Sequence, residues 1–373
     1  MRRSTIPAAV SRCLAVLLTV GFFDPVAASA ATPSGSAIPT GFRAQSLTWV
    51  SPKHGWMLGV APCGQIMCTT VVGTTDGGGT WNTLGTFKAP VTSDDKTGVS
   101  EVKFADDLHG WAFGPALWAT RDGGAKWKKQ TPPGGGQRVL ALAGNSDAVY
   151  AVVSPCRLNH LCGYPATLWR TTAGGGTWTQ VSVTLPVATS AVLAVHGVVA
   201  YVIAPTFSFD GVLDATVDGQ AWSSRPNPCV QANDETLWDV APISDSKVAL
   251  LCVGDPGFSM ADKRVLRSND TGLTTSPAGS TSRDGIVSQL AAAPNGTLAV
   301  SSYSDGSWIY RNGGSRTWTT PVSLADFGMG WNDIVFTTNQ VGFVIHGPWA
   351  FCCGGGPGEL WETQDGGVTW APA

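Results

Sequence analysis

Short apolar runs come in pairs along this chain, each pair split by a polar turn. Residues 47–50 and 56–60 flank Ser51-Pro52-Lys53-His54-Gly55, and residues 102–105 and 111–114 flank Asp106-Asp107-Leu108-His109-Gly110. The pairing continues as 140–143 with 149–153, 192–195 with 198–204, 238–242 with 248–253, 290–293 with 298–302, and 333–336 with 341–345. Short runs rich in Val and aromatics, bounded by Gly, Pro, Asn and Asp, predict β-strands. A third run, such as 69–73 or 167–170, follows each pair, and a fourth follows that. No amphipathic helical pattern of comparable length is visible.

Between the third and fourth runs one stretch keeps returning. It reads Thr74-Thr75-Asp76-Gly77-Gly78-Gly79-Thr80-Trp81, then Thr120-Arg121-Asp122-Gly123-Gly124-Ala125-Lys126-Trp127, then Thr171-Thr172-Ala173-Gly174-Gly175-Gly176-Thr177-Trp178. It closes the chain as Thr363-Gln364-Asp365-Gly366-Gly367-Val368-Thr369-Trp370. Weaker copies carry Asp218 with Trp222, Asp270 without a Trp, and Asn312 with Trp318. Taking Asn312 and Ala173 as the Asp equivalents, the copies recur every 42 to 53 residues and fill the chain. Four strands per period and seven periods predict an all-β fold, a single seven-bladed β-propeller of four-stranded antiparallel blades spanning 41–373. A four-stranded sheet has two apolar faces, so blades must stack. The last strand after Trp370 is short, and residues 38–44 are expected to complete that blade.

The chemistry of the repeat is that of a turn. An Asp carboxylate accepts hydrogen bonds from N–H groups about two residues onward, glycines supply left-handed backbone, and the Trp folds back onto the sheet. Asp76, Asp122, Asp218, Asp270 and Asp365, with Trp81, Trp127, Trp178, Trp222, Trp318 and Trp370, are therefore read as structural. Ala173 supports this, because the turn motif survives there without its Asp. These residues resemble the BNR or Asp-box repeat, Ser/Thr-x-Asp-x-Gly-x-Thr-Trp, found in sialidases, sortilin-like ectodomains, some glucanases and photosystem II assembly factor-like propellers. His54-Gly55-Trp56 and His109-Gly110-Trp111, each followed by a box, look most like the last, largely non-catalytic group. The resemblance implies a binding or assembly module.

Composition changes the picture in three ways. Residues 1–30 open with Arg2 and Arg3, continue through an apolar run at 13–23 and end at Ala28-Ser29-Ala30, which reads as a secretory signal peptide cleaved near Ala30; 31–40 read as a flexible leader. The mature chain is then expected to be secreted, and no later segment is apolar enough for a membrane span. Its net charge is near −5, which disfavours nucleic acid. Eight cysteines remain, at 63, 68, 156, 162, 229, 252, 352 and 353. An even count in an exported chain favours disulfides over metal. Cys63 with Cys68 and Cys156 with Cys162 are the expected pairs; Cys229 with Cys252 and Cys352 with Cys353 compete with cross-pairing of those four.

In a four-stranded meander the boxes share one rim with the first-to-second turns. All eight cysteines map to the opposite rim, and disulfide-stapled loops there suit a binding surface, since pre-ordering lowers the entropy lost on binding. The candidate ligand-binding residues on it are Arg157, His160, Tyr164, Phe207, Phe209, Asp210, Asp255, Trp349 and Phe351. Aromatics with a few polar groups suit a peptide strand or a cell-envelope glycan. The enzyme alternative is an exo-sialidase-like glycoside hydrolase. It would need an arginine clamp, a Tyr–Glu nucleophile pair and an Asp acid. The Arg-Ile-Pro signature is missing at Ile38-Pro39, and no catalytic residue, cofactor or metal ligand is assigned. A monomer is expected.

Overall fold

The computed structural model describes residues 37–91, 97–156, 164–188, 190–205, 211–230, 234–348 and 356–373, Asp255 by its backbone alone. These fold into seven four-stranded antiparallel sheets, each strand paired with its chain neighbours. The inner strands are Arg43–Trp49, Glu101–Phe104, Arg138–Gly144, Val192–His196, Thr236–Pro242, Val287–Ala292 and Met329–Phe336. Each touches the inner strand of the next blade, and the seventh returns to the first, so the sheets close into the expected seven-bladed β-propeller.

The second strand of each blade explains the ring. In blade 3, Tyr150 and Val152 enter the core shared with blade 4, while Val149, Ala151 and Val153 enter the core shared with blade 2. In blade 4, Ala200 and Val202 face blade 3, and Val199, Tyr201 and Ile203 face blade 5. This is the two-residue strand period with both faces buried. Seven apolar cores result among the described residues, one at each blade interface. Aromatic pairs cross several of them, such as Trp56 on Phe104 at 4.0 Å and Trp49 on Phe343 at 4.8 Å.

Closure differs from the sequence expectation for residues 38–44. Blade 7 draws its strands from one continuous stretch, Met329–Phe336, Gly342–Pro348, Glu359–Thr363 and Ala371–Pro372, so its outer position is already filled. Ala37 instead donates its N–H to Gly79 O (3.0 Å) and accepts from Trp81 N (2.9 Å), in a parallel bridge to the first box. Ile38 and Phe42 then wedge into the core between blades 7 and 1. Ala44 and Gly358 exchange both backbone hydrogen bonds (2.9 and 2.6 Å), which joins the first blade to the last. Ala37 and Ile38, assigned to the leader by sequence, are thus held by the propeller. Burying Ile38 and Phe42 stabilises more than a solvent-facing edge strand would.

The boxes are hydrogen-bonded turns. Thr74 Oγ1 donates to Asp76 Oδ1 (2.8 Å) and accepts from Gly78 N (3.0 Å); Asp76 accepts from Thr80 N (2.9 Å) and Thr80 Oγ1 (2.7 Å). Blades 5 and 7 repeat these contacts through Asp270 and Asp365, and blade 2 repeats the first three through Asp122. Three copies depart from the pattern. Asp218, in the short copy, accepts from Gln220 N and Ala221 N. Asn312 pairs with Leu298 at the strand end, where Thr74 pairs with Gly55, so it stands at the Thr position and not at the Asp position assigned by sequence. Its amide performs both parts, accepting from Gly314 N (2.8 Å) and donating to Ser315 O (2.6 Å). Ala173 is buried in the core between blades 2 and 3, and Thr171 donates to Thr177 O in the absence of a carboxylate.

Blade 5 places Thr271 (φ 60°) where blades 1, 2 and 7 have Gly77, Gly123 and Gly366 (φ 80°, 71° and 72°). A β-branched residue is strained there. Thr271→Gly is expected to stabilise the fold by about 1 kcal/mol, less the entropy glycine adds to the unfolded chain. Denaturant unfolding would measure it, and a fall in midpoint would contradict it.

The N–H and hydroxyl of Thr80 hold Asp76 at about 2, and the hydroxyl and N–H of Thr274 hold Asp270 at about 2. Their folded values lie below the ordinary 3.8, so this stabilisation is complete above about pH 4 and is lost as pH falls through 2. Melting curves should show that decline in wild type, shallower in Asp76→Asn.

Candidate functional site

Strand direction places the boxes and first-to-second turns on one rim. The second-to-third and blade-to-blade connections lie on the other. Both disulfides bounded entirely by described residues lie there: Cys63–Cys68 closes the tip of the blade 1 hairpin, and Cys229–Cys252 ties the blade 4–5 connection to the second strand of blade 5. Cys156 is also disulfide-bonded, while Cys162, Cys352 and Cys353 fall outside the described residues. Beside the second bridge, burial pushes Glu235 up, but Arg264 and the N–H of Val230 outweigh it and hold the carboxyl below its usual range. Arg264 also donates to Pro228 O (3.1 Å), which fixes this connection against the sheet.

The exposed apolar side chains divide by type between the rims. The disulfide rim presents Ile66, Met67, Tyr164, Phe258, Met260 and Phe327, whereas the box rim presents aliphatics at turn corners, Leu108, Val198, Val217, Leu273 and Val368. Of the sequence candidates, Tyr164 is exposed, in the second-to-third connection of blade 3. Asp255 lies in the second strand of blade 5, its side chain undescribed. Arg157, His160, Phe207, Phe209, Asp210, Trp349 and Phe351 fall outside the described residues. Sequence reasoning missed Phe258 and Phe327, for which the only signal was an aromatic inside a turn.

The ring encloses an axial channel, a cavity of about 730 Å³ lined by the seven inner strands, whose charged residues the sequence did not single out. Bulges in these strands re-aim side chains toward it. Gln45 is the extra residue of blade 1 and Trp238 that of blade 5, and blade 7 is irregular at Asp333. Asp333 (φ 52°) accepts from Ser46 Oγ (2.5 Å) and Leu47 N (2.8 Å) and lies 3.4 Å from Lys103 Nζ. Ser46 Oγ accepts in turn from Val102 N (3.1 Å), so one carboxylate links blades 7, 1 and 2. Asp239 likewise clasps blade 6 through Leu290 N (2.7 Å).

Charges in the channel are enclosed but wetted; Lys103 and Asp333 keep 27% and 19% of their side chains exposed. Burial pushes Glu101 up to about 7 despite Lys103, and pushes Asp239 up to about 7 despite the N–H groups of Leu290 and Val240. Burial opposes the charge on Lys103, yet Asp333 and Glu101 outweigh it and raise its pKa. Among the described residues no cluster of three His, Cys, Asp or Glu is placed to hold a metal ion, and no helix is long and apolar enough to cross a membrane.

The model of the photosynthesis system II assembly factor YCF48 family matches residues 88–302, more than half of the chain. The chain belongs to that family. A solved structure of YCF48 bound to D1 peptide agrees in fold, at 20% identity over 76% of this chain and 83% of its own, with a TM-score of 0.50. Two GH74 enzymes are more distant. The xyloglucanase from Xanthomonas campestris is 10% identical over 88% of this chain and 72% of its own (TM-score 0.35). The Niastella koreensis enzyme is 11% identical over 89% and 71% (TM-score 0.33). No curated protein matches.

Glu101 and Asp239 titrate opposite to the boxes. Their folded values lie above the unfolded 4.5 and 3.8, so stability falls as pH rises from about 4 through 7 and is level above. Glu101→Gln should raise the melting temperature at pH 8 and leave it unchanged at pH 4. Equal effects at both values would contradict this.

Proposed function

We propose that the chain is an exported, non-catalytic assembly module that binds a protein segment on the rim opposite its boxes. The observation that carries the reading is that the exposed rim aromatics and methionines, Tyr164, Phe258, Phe327, Met67 and Met260, lie with both fully described disulfides on that one rim. Isolated exposed apolar residues are ordinary, but several around one rim mark a contact surface. Membership of the YCF48 family supports a protein ligand, because a relative of the same fold is solved with a D1 peptide. The sequence supports export: residues 1–30 have the form of a cleavable signal, and the cysteine usage suits an oxidising compartment. Tyr164, with Arg157, His160, Phe207, Phe209, Asp210, Asp255, Trp349 and Phe351, belongs to the proposed surface.

The test is site-specific photo-crosslinking in the native host. A benzoylphenylalanine at Ile66 or Tyr164 should give a discrete protein adduct, and one at Val217 or Leu273 on the box rim should not. Equal adducts from both rims, or none, would overturn the reading. Hydrolysis of a fluorogenic sialoside by the purified protein would replace it with the glycosidase alternative, and carbohydrate-only adducts with a glycan ligand.

A further inference from the structure

The blade 5 hairpin between Val248–Gly257 and Met260–Ser268 turns through two residues, Phe258 and Ser259. Both have left-handed φ, 49° and 67°. A two-residue turn of this kind is normally filled by Asn-Gly or a similar pair, and a bulky aromatic there is strained. Phe258 is nevertheless 100% exposed, so its ring adds nothing to the core that would offset the strain. Met260 beside it is 39% exposed.

The tip is also held rigid. Ser259 O accepts from Gly285 N (3.2 Å) in the blade 5–6 connection and from Ser304 Oγ (2.7 Å) in the next hairpin. The connection itself is pinned from below by Lys263, which is 1% exposed. Its three ammonium N–H groups are shared among four carbonyls, Ala261 O (3.0 Å) and Arg283, Asp284 and Gly285 O (2.9 Å each). Burial lowers the Lys263 pKa to about 8, which leaves it charged at neutral pH. A strained, solvent-facing aromatic on a fixed mount resembles an anchor awaiting a partner, because little ordering entropy remains to be lost.

The charges around the mount select the partner. Asp284 adjoins Gly285, Asp305 adjoins Ser304, and Asp262 follows Met260 by two residues. Lys263 is buried beneath the carbonyls, and the exposed basic side chain among these segments, Arg283, is already 3.1 Å from Asp262. We propose that the Phe258 tip docks an extended basic segment of a partner protein, whose apolar side chains pack on Phe258 and Met260 and whose Lys or Arg side chains meet Asp262, Asp284 and Asp305. This deepens, and rests on, the protein-binding reading above. The same acidic surroundings disfavour insertion into an anionic bilayer.

The test uses the whole mature protein with three probes: a fluorescent peptide alternating Lys and Leu, its Glu–Leu counterpart, and vesicles containing phosphatidylserine. Wild type should bind the Lys–Leu peptide, increasingly as salt is lowered, and neither of the others. Phe258→Gly should weaken that binding by about tenfold or more, as for a buried aromatic anchor, while its melting temperature stays level or rises. Asp305→Asn should weaken it less and flatten the salt dependence. The proposal is overturned if wild type ignores the Lys–Leu peptide, if Phe258→Gly binds it equally, or if that variant melts lower. Phe258-dependent vesicle binding would overturn it in favour of a membrane contact. Crosslinks from Ile66 and Tyr164 that persist while Phe258 proves indifferent would sink this inference alone; their absence would sink the broader reading.

Discussion

Every blade of this protein has two faces to bury and only neighbouring blades to bury them against. Tyr150, Ala151 and Val152 are successive residues of one strand, yet they serve two separate cores. A single sheet with such a strand would expose two apolar faces, and a linear stack would expose one at each end. Closing the ring removes both ends. The junction between blades 7 and 1 therefore matters most, and it is secured in three ways. The Ala44–Gly358 bridge ties the strands, Ile38 and Phe42 fill the core, and the Asp333 carboxylate spans to Ser46 and Leu47.

The same constraint decides where function can sit. Side chains of the middle strands are committed to the interface cores, leaving the turns and the inner strands. On the box rim the turns are committed too, because Asp76, Asp270 and Asp365 spend their oxygens on the N–H and hydroxyl groups of their own turns. Along the axis, bulges bring out Trp238, Gln45 and Asp333, and the two carboxylates among their neighbours with raised pKa values show how confined that space is. On the opposite rim the exposed side chains Tyr164, Phe258 and Phe327 are ones the fold does not need.

What was legible in the sequence followed from local rules. The strand period, the Asp turns and the pairing of Cys63 with Cys68 depend on residues close in the chain or on repeated spacing, whereas Cys229 with Cys252, left open against cross-pairing, is decided only by the fold. The boundary at 38–44 was misplaced because whether an edge strand or a core wedge wins depends on how much apolar surface the neighbouring blade offers. Asn312 was misplaced by two positions in the turn because its amide can both donate and accept, so it fits either the Thr or the Asp role until the strand pairing is known. Asp239 and Glu101 read as ordinary strand residues, since only closure of the ring encloses them.

Strain separates the structural turns from the one that looks outward. Thr271 is left-handed, but its carbonyl accepts from Arg225 Nε (3.0 Å) and its hydroxyl donates to Asp270 O (2.6 Å). Asp333 is left-handed, and its carboxylate binds the next blade. In both cases the strained residue's polar groups make contacts that offset part of the cost, so the fold itself accounts for the conformation. Phe258 has the same backbone and no such contact, and the hydrogen bonds that hold its turn belong to Ser259. A glycine would leave those bonds intact and lower the strain. Retaining a phenylalanine there costs stability without returning any, which is the pattern expected of a side chain whose contacts are supplied by another molecule.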